Sequence, residues 1–203
     1  MEFLPRQTAF LLDTARAVVR ATLAGHQVRP PPCHDLDLYK PAGCFTSLHD
    51  HAGRLRGCVG RIDASEPLIS SLTSSSVSVC SDGRFRANPV TLAELPNIDL
   101  ELSVLSPPRP AANVLDFDLL NHGIYLTIAG RTGCFLPQVA RETGWTKEQL
   151  LTRLCTEKMG MAADSWKSPQ AKLAVFSTVI VGPEPFERPI VPAQNPQPIE
   201  AFP

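Results

Sequence analysis

Residues 98–105 read I-D-L-E-L-S-V-L, and no other stretch of the chain constrains the fold so tightly. Ile98, Leu100, Leu102 and Val104 share one face of an extended segment, and Asp99, Glu101 and Ser103 share the other. A period of two is the mark of a strand with one buried face. The S-P-P-R-P that follows ends it, because proline has no N–H for a ladder. A sheet must therefore form, and the rest of the chain has to supply its neighbours and its cover.

Helical spacing of Leu11, Leu12, Ala15, Val18, Val19 and Leu23 predicts a helix from Gln7 to Leu23, stopped near Gly25. Pro30, Pro31 and Pro32 make residues 26–41 an extended connector. Residues 42–62 read as a hairpin, with C-F-T-S-L and L-R-G-C-V-G-R-I on either side of H-D-H-A-G. Ser65, Glu66 and Pro67 then offer a helix start for a segment reaching Val79. Its S-L-T-S-S-S-V-S-V core is poor in helix formers, so a strand competes there. Thr91 caps a single turn over 92–95.

Residues 123–128 and 133–136 pair through A-G-R-T. Pro137 opens a helix to Thr143. Thr146 and Gln149 form a capping box for a helix over 147–159, and Gly160 closes it. Residues 172–181 read as one strand. Strands and helices do not alternate as β-α-β, so the fold class is α+β with a mixed, largely antiparallel sheet and flanking helices.

The 203 residues suit one domain, here 1–182, followed by a proline-rich tail at 183–203 that reads as extended or disordered. A net charge of −1 gives no field that would draw nucleic acid or an anionic membrane. No apolar run approaches the ~20 residues a bilayer needs. Six cysteines are scattered without a C-x-x-C pair, which predicts reduced thiols and a cytoplasmic protein.

The segments L-R-G-C-V-G, D-G-R-F, I-D-L-E-L-S-V-L-S-P-P, H-G-I, R-T-G-C-F-L-P-Q-V-A, G-W and L-C follow one another in that order. Over residues 8 to 182 the chain resembles the AMMECR domain family. The resemblance implies an α+β fold of two unequal lobes sharing a core, with a cleft between them near Arg56-Gly57-Cys58. It also implies a setting, as component A of a three-part system whose companions are a Memo-type protein, similar to class III extradiol dioxygenases, and a radical S-adenosylmethionine protein. It implies no reaction. The family often carries D-P-R-F where this chain has Asp82-Gly83-Arg84-Phe85, a loop made more basic by Arg86.

The residues add candidate chemistry to that setting. On a strand Arg56 and Cys58 share a face, and a cation beside a thiol favours thiolate. Cys58 is thus a candidate nucleophile or redox centre with Arg56 as its stabiliser, and small buried packing is its structural alternative. Gly57 and Gly60 mark close backbone approach. Pairing Leu48 with Arg54 places Cys44 opposite Cys58, and a one-residue slip places it opposite Val59; the apolar pattern leaves both registers open.

Arg84 suits an anion, or a structural pair with Asp82 or Glu101. Glu101 is a candidate base and His122 a candidate acid–base group, each with a bland turn or surface role as its rival. His49-Asp50-His51 has the composition of a partial metal site but lacks an evident third strong ligand, so no metal is assigned. No phosphate loop, dinucleotide fingerprint or serine elbow is present, and no cofactor is specified. Two functions follow: a cysteine-dependent enzyme or accessory component acting on a small molecule or protein, or a non-catalytic interaction module that docks through L-R-G-C-V-G and the tail.

Overall fold

A computed structural model describes residues 2–187. The first helix, α1 (Pro5–Leu23), is followed by strands β1 (Gly43–Asp50) and β2 (Leu55–Arg61) and by helix α2 (Leu68–Val79). Strand β3 (Ile98–Leu105) runs into the two-residue β4 (Arg109–Pro110), and β5 (Gly123–Ile128) turns back as β6 (Arg131–Phe135). Two short helices, α3 (Pro137–Thr143) and α4 (Lys147–Arg153), precede the final strands β7 (Lys172–Phe176) and β8 (Thr178–Pro185). The strands make two antiparallel four-stranded sheets, in the orders β2-β1-β3-β8 and β4-β7-β5-β6. The α+β class read from the sequence holds.

The alternating segment is β3, at the centre of the first sheet. Ile98, Leu100, Leu102 and Val104 are each at most 1% exposed and pack with Leu48 of β1 and with Leu11, Leu12, Leu68 and Leu72 of α1 and α2. The serine-rich segment is helical, and the hydroxyls of Thr73, Ser75 and Ser76 have partners there. Thr46 Oγ1 lies 2.8 Å from Ser75 Oγ and 3.1 Å from Ser76 Oγ in the buried α2–β1 contact. Small side chains let the helix lie close to the sheet, and tertiary packing overrides weak propensity. The helix starts later than its sequence signals suggest. Pro67 is extended and bridges Pro41, so the first helical residue is Leu68, and Ser65 Oγ donates to Asp63 instead of capping.

Residues 172–181, read as one strand, belong to both sheets. Leu173 and Val175 sit in the second core, while Val179 and Val181 pack on the first. Ser177 marks the crossing: its carbonyl accepts from Ser106 N–H at 3.0 Å, and its N–H donates to Ser106 Oγ at 3.0 Å. β3–β4 and β7–β8 thus pass together from one sheet to the other. The 147–159 helix is also divided: α4 ends at Arg153 and a π turn covers Leu154–Lys158, with Met159 N–H donating to Leu154 O.

β8 continues to Pro185, and Phe186 is 1% exposed in the first core, so packing extends beyond residue 182. Arg16 of α1, its side chain 9% exposed, reaches Glu184 at 3.0 Å and the Pro185 carbonyl at 2.9 Å. Residues 188–203, most of the tail singled out in the sequence, lie outside the described residues. Among the described residues no helix is long and apolar enough to cross a membrane.

Candidate functional site

β2 is an edge strand, and its turn decides how it is set. Asp50 Oδ1 accepts from Ala52 and Arg54 N–H (3.0 and 2.9 Å), and Oδ2 from Arg54 Nε at 2.7 Å, which closes the loop over Gly53. Past the turn the pairing shifts between Leu48 and His49, so that Arg56 is an extra, bulged residue between Leu55 and Gly57. The register that results pairs Ser47 with Cys58 and Cys44 with Arg61. Neither register open in the sequence occurs, and Cys44 is not opposite Cys58. A bulge adds a residue to one strand only, which no apolar pattern in a glycine-rich strand reveals.

The bulge also redirects Arg56. Its Nη2 lies 2.7 Å from Glu94 Oε1, and Nη1 donates to Asn88 O at 3.2 Å. Glu94 in turn accepts from Thr91 N–H at 2.9 Å in the capping box of the 92–97 turn. Arg56 therefore anchors the 88–94 loop to the hairpin, with a side chain 12% exposed.

The cation at Cys58 is Arg84. Its Nη2 donates to the Cys58 carbonyl at 2.7 Å, and Asp82 Oδ2 accepts Cys58 N–H at 3.0 Å. Asp82 also holds Arg84 directly, Oδ2 to Nη2 at 2.6 Å and Oδ1 to Nε at 3.1 Å. The fork takes both peptide groups that Cys58 turns away from β1, as a neighbouring strand would. Arg84 holds the nearly buried Asp82 carboxyl far below the usual carboxylate range. Arg84 is held protonated, first by Asp82 and further by the Cys58 thiol.

The two glycines are packing residues. A Cβ at Gly57 would stand 2.9 Å from Val79 Cγ2, and one at Gly60 would meet Phe45 and the Cys44 carbonyl.

Strand pairing then decides what Cys58 faces. Ser47 pairs with Cys58 on one side and with Glu101 on the other, so the three form a row across β2, β1 and β3. They lie on the face opposite the leucine core, since residues one apart on a strand face opposite ways. His49 and Asp99 occupy the adjoining row. Neighbouring strands are roughly 4.8 Å apart, so Cys58 and Glu101 are about 10 Å apart at the backbone, with the Ser47 hydroxyl side between them.

Glu101 is half-buried, and its carboxyl is raised by burial, with Glu142 of α3 adding to the rise and His49 opposing it. Gln138 stands one helical turn before Glu142, on the same side of α3, and its Oε1 is sealed from solvent without a partner among the described residues. Ser47, Glu142 and Gln138 were not singled out in the sequence as site residues. Gln138 was quoted within R-T-G-C-F-L-P-Q-V-A; Ser47 and Glu142 carry no local signal.

The other candidates lie elsewhere. His122 Nδ1 accepts Asp118 N–H at 3.0 Å, and Nε2 is 3.3 Å from Arg109 Nη2, which makes His122 part of the loop before β5. Asp50 is taken up by the turn, and His51 faces Asp99 at 3.7 Å, so the His49-Asp50-His51 triplet does not converge. Burial pushes the Cys44 thiol up to about 12 and Cys80 up to about 11, and it raises Cys134 and Cys155. Cys58 is half-exposed.

Comparison with known proteins bears on the family and the fold. The AMMECR1 family model matches residues 12–181. Protein MJ0810 of Methanocaldococcus jannaschii is 32% identical over 179 residues, which covers 84% of this chain and 87% of that protein. Protein MK0488 of Methanopyrus kandleri is 31% identical over 192 residues, covering 89% of this chain and 90% of its own. The crystal structure of uncharacterized protein PH0010 from Pyrococcus horikoshii superposes with a TM-score of 0.76 at 28% identity, over 84% of this chain and 88% of that one.

Proposed function

The chain belongs to the AMMECR1 family, and from that premise we propose that it is a thiol-dependent enzyme or accessory enzyme component of the cytoplasm. In this reading it works on a small molecule or a modified protein alongside Memo-type and radical S-adenosylmethionine partners. The observation that carries the proposal is the Cys58–Ser47–Glu101 row on the face of the first sheet turned away from the leucine core. In this reading the cleft implied by the family resemblance lies on the side of this face where Glu142 of α3 acts on the Glu101 carboxyl.

Each group has a role. Cys58 Sγ forms a bond to an electrophilic carbon of the substrate. Its proton passes to the Glu101 carboxylate, with the Ser47 hydroxyl as donor and acceptor between them. The electron pair displaced from that carbon settles on a leaving heteroatom, which takes the proton back from Glu101. A carboxyl raised by burial is a stronger base than a free carboxylate, which suits a group that accepts and returns a proton. Asp82 and Arg84 are positioning residues that fix the Cys58 backbone. Arg56 and His122 have no part in the step.

The test is the rate of modification of each cysteine by iodoacetamide against pH, followed by mass spectrometry. Cys58 is expected to react roughly tenfold faster than any other thiol, with a pH profile that Glu101→Gln displaces. Uniformly slow thiols, or a Cys58 profile indifferent to Glu101→Gln, would sink the catalytic reading and leave a non-catalytic interaction module.

A further inference from the structure

Beyond the thiol site, the free edge of β2 carries a second surface. Cys58 turns its N–H and C=O away from β1, where the Asp82–Arg84 fork takes them. Pairing is regular from Gly57 to Arg61, so Gly60, two residues on, turns its own N–H and C=O the same way. No hydrogen bond to these two groups occurs among the described residues. The fork closes one position of the edge and leaves the next one open.

Beside the open position is a groove of about 210 Å³ between β2 and α2. Val59, Gly60 and Arg61 form one wall; Ser71, Ser74, Ser75 and Ser78 form the other. The serines recur at three- and four-residue intervals and make one stripe of the helix. Ser74 and Ser78 are exposed, whereas Ser71 is 0% exposed and its Oγ has no hydrogen-bond partner among the described residues. A buried hydroxyl without a partner is costly, so Ser71 marks where the groove accepts a polar group from outside.

We propose that the β2 edge at Gly60 is a docking site for an extended peptide segment of a partner protein, whose residues flanking the bridging one carry small hydroxyl or amide side chains. An extended backbone presents a donor and an acceptor at the spacing that Gly60 requires. A residue bridged to Gly60 turns its own side chain to the face that carries Cys58. Its two neighbours then point toward α2 and into the serine groove. The groove walls are narrow and carry hydroxyls, which favours serine, threonine or asparagine there over a long or charged side chain. Arg61 is held by Asp63 at 2.9 Å and by Glu66 at 2.8 Å and closes the far end. The surface is separate from the Cys58 chemistry, because it uses the next backbone position of the edge and its groove lies on the opposite face of the strand.

The experiment uses the full chain, labelled with nitrogen-15, and a soluble acetylated peptide Lys-Val-Thr-Val-Thr-Lys. The expected result is a saturable shift of the Gly60 amide signal together with slowed hydrogen exchange at that amide. Binding is expected to weaken roughly fivefold to tenfold in Ser71→Ala, the loss of about one hydrogen bond. A peptide N-methylated at its central residues is expected not to bind, and Ser78→Arg is expected to block the groove without touching the core. Cys58→Ala is expected to bind the peptide as the unaltered chain does, so failure here and failure of the thiol chemistry are told apart. An unshifted Gly60 amide at millimolar peptide, equal binding of the N-methylated peptide, or shifts confined to β6 or β8 would each overturn the proposal.

Discussion

The two sheets each end in an edge strand written in nearly the same local vocabulary. β2 carries Arg56-Gly57-Cys58, and β6 carries Arg131-Thr132-Gly133-Cys134. In both, the arginine reaches the carbonyls of a neighbouring segment: Asn88 O for Arg56, and Met159 O and Gly160 O for Arg131, at 3.0 and 3.2 Å. In both, the glycine admits a packed neighbour. A Cβ would stand 2.9 Å from Val79 at Gly57 and 2.7 Å from Met159 at Gly133. In both, the cysteine faces away from that neighbour.

They part across the strand. Cys134 is opposite Tyr125, which is opposite Ala174, and its thiol is raised by burial despite Lys158. Cys58 is opposite Ser47 and then Glu101. The arginine–glycine pattern therefore builds an anchored edge strand, and chemistry depends on what the other strands bring to the row.

The strongest way to break this contrast is to exchange the thiols for methyl groups. If the proposed thiol chemistry holds, Cys58→Ala is expected to lower turnover by roughly 10³-fold in an assay that includes the proposed partners. Cys134→Ala is expected to leave it unchanged. Equal effects at the two positions would remove the difference drawn between the edges.

Next in size is the fork that only β2 possesses. Asp82→Ala leaves Cys58 N–H without its acceptor and the Arg84 guanidinium without its carboxylate, and is expected to cost about 2–3 kcal/mol in denaturant unfolding. The pH dependence has a definite sign. The folded Asp82 carboxyl is depressed by Arg84, so its contribution is complete above its unfolded pKa of about 3.9. It is lost as pH falls below that value toward the folded one. The unaltered chain is expected to lose more stability between pH 5 and pH 2 than Asp82→Asn does.

Packing at the glycines tests the likeness rather than the difference. Gly57→Val and Gly133→Val are each expected to destabilise by about 1–3 kcal/mol, seen as a lower denaturant midpoint. The smallest effect belongs to Glu101, whose folded pKa is raised by burial. Its ionisation weakens the fold as pH rises from its unfolded value of about 4.3 through the folded one. Glu101→Gln is expected to be slightly more stable than the unaltered chain at pH 7, with no such gain near pH 3.

Much of the fold was legible in the chain because burial repeats with the period of the element that buries it. The β3 alternation, the α1 stripe and the Thr146–Gln149 box all carry their own geometry. The site was less legible. Cys58, Asp82, Arg84 and Glu101 were visible as reactive or charged residues in short motifs. Arg56 was read as the partner of Cys58 because two residues apart on a regular strand share a face, and a bulge removes that premise. His122 stood out by type, and the loop before β5 takes up both its ring nitrogens. Ser47 has no feature of its own; its place between Cys58 and Glu101 follows from two strand registers at once.

By itself, then, the sequence determined most of the helices and strands, that the fold is α+β, and which family the chain resembles, while the serine-rich segment stayed open between helix and strand. Local periodicity and short motifs suffice for that, since neighbours along the chain report on the same backbone. Only the tertiary structure decided that residues 172–181 cross between sheets, that Arg84 rather than Arg56 stands at Cys58, and that Ser47 and Glu101 complete its row. Those facts depend on contacts between residues tens of positions apart, and a single displaced residue in a hairpin changes every one that follows.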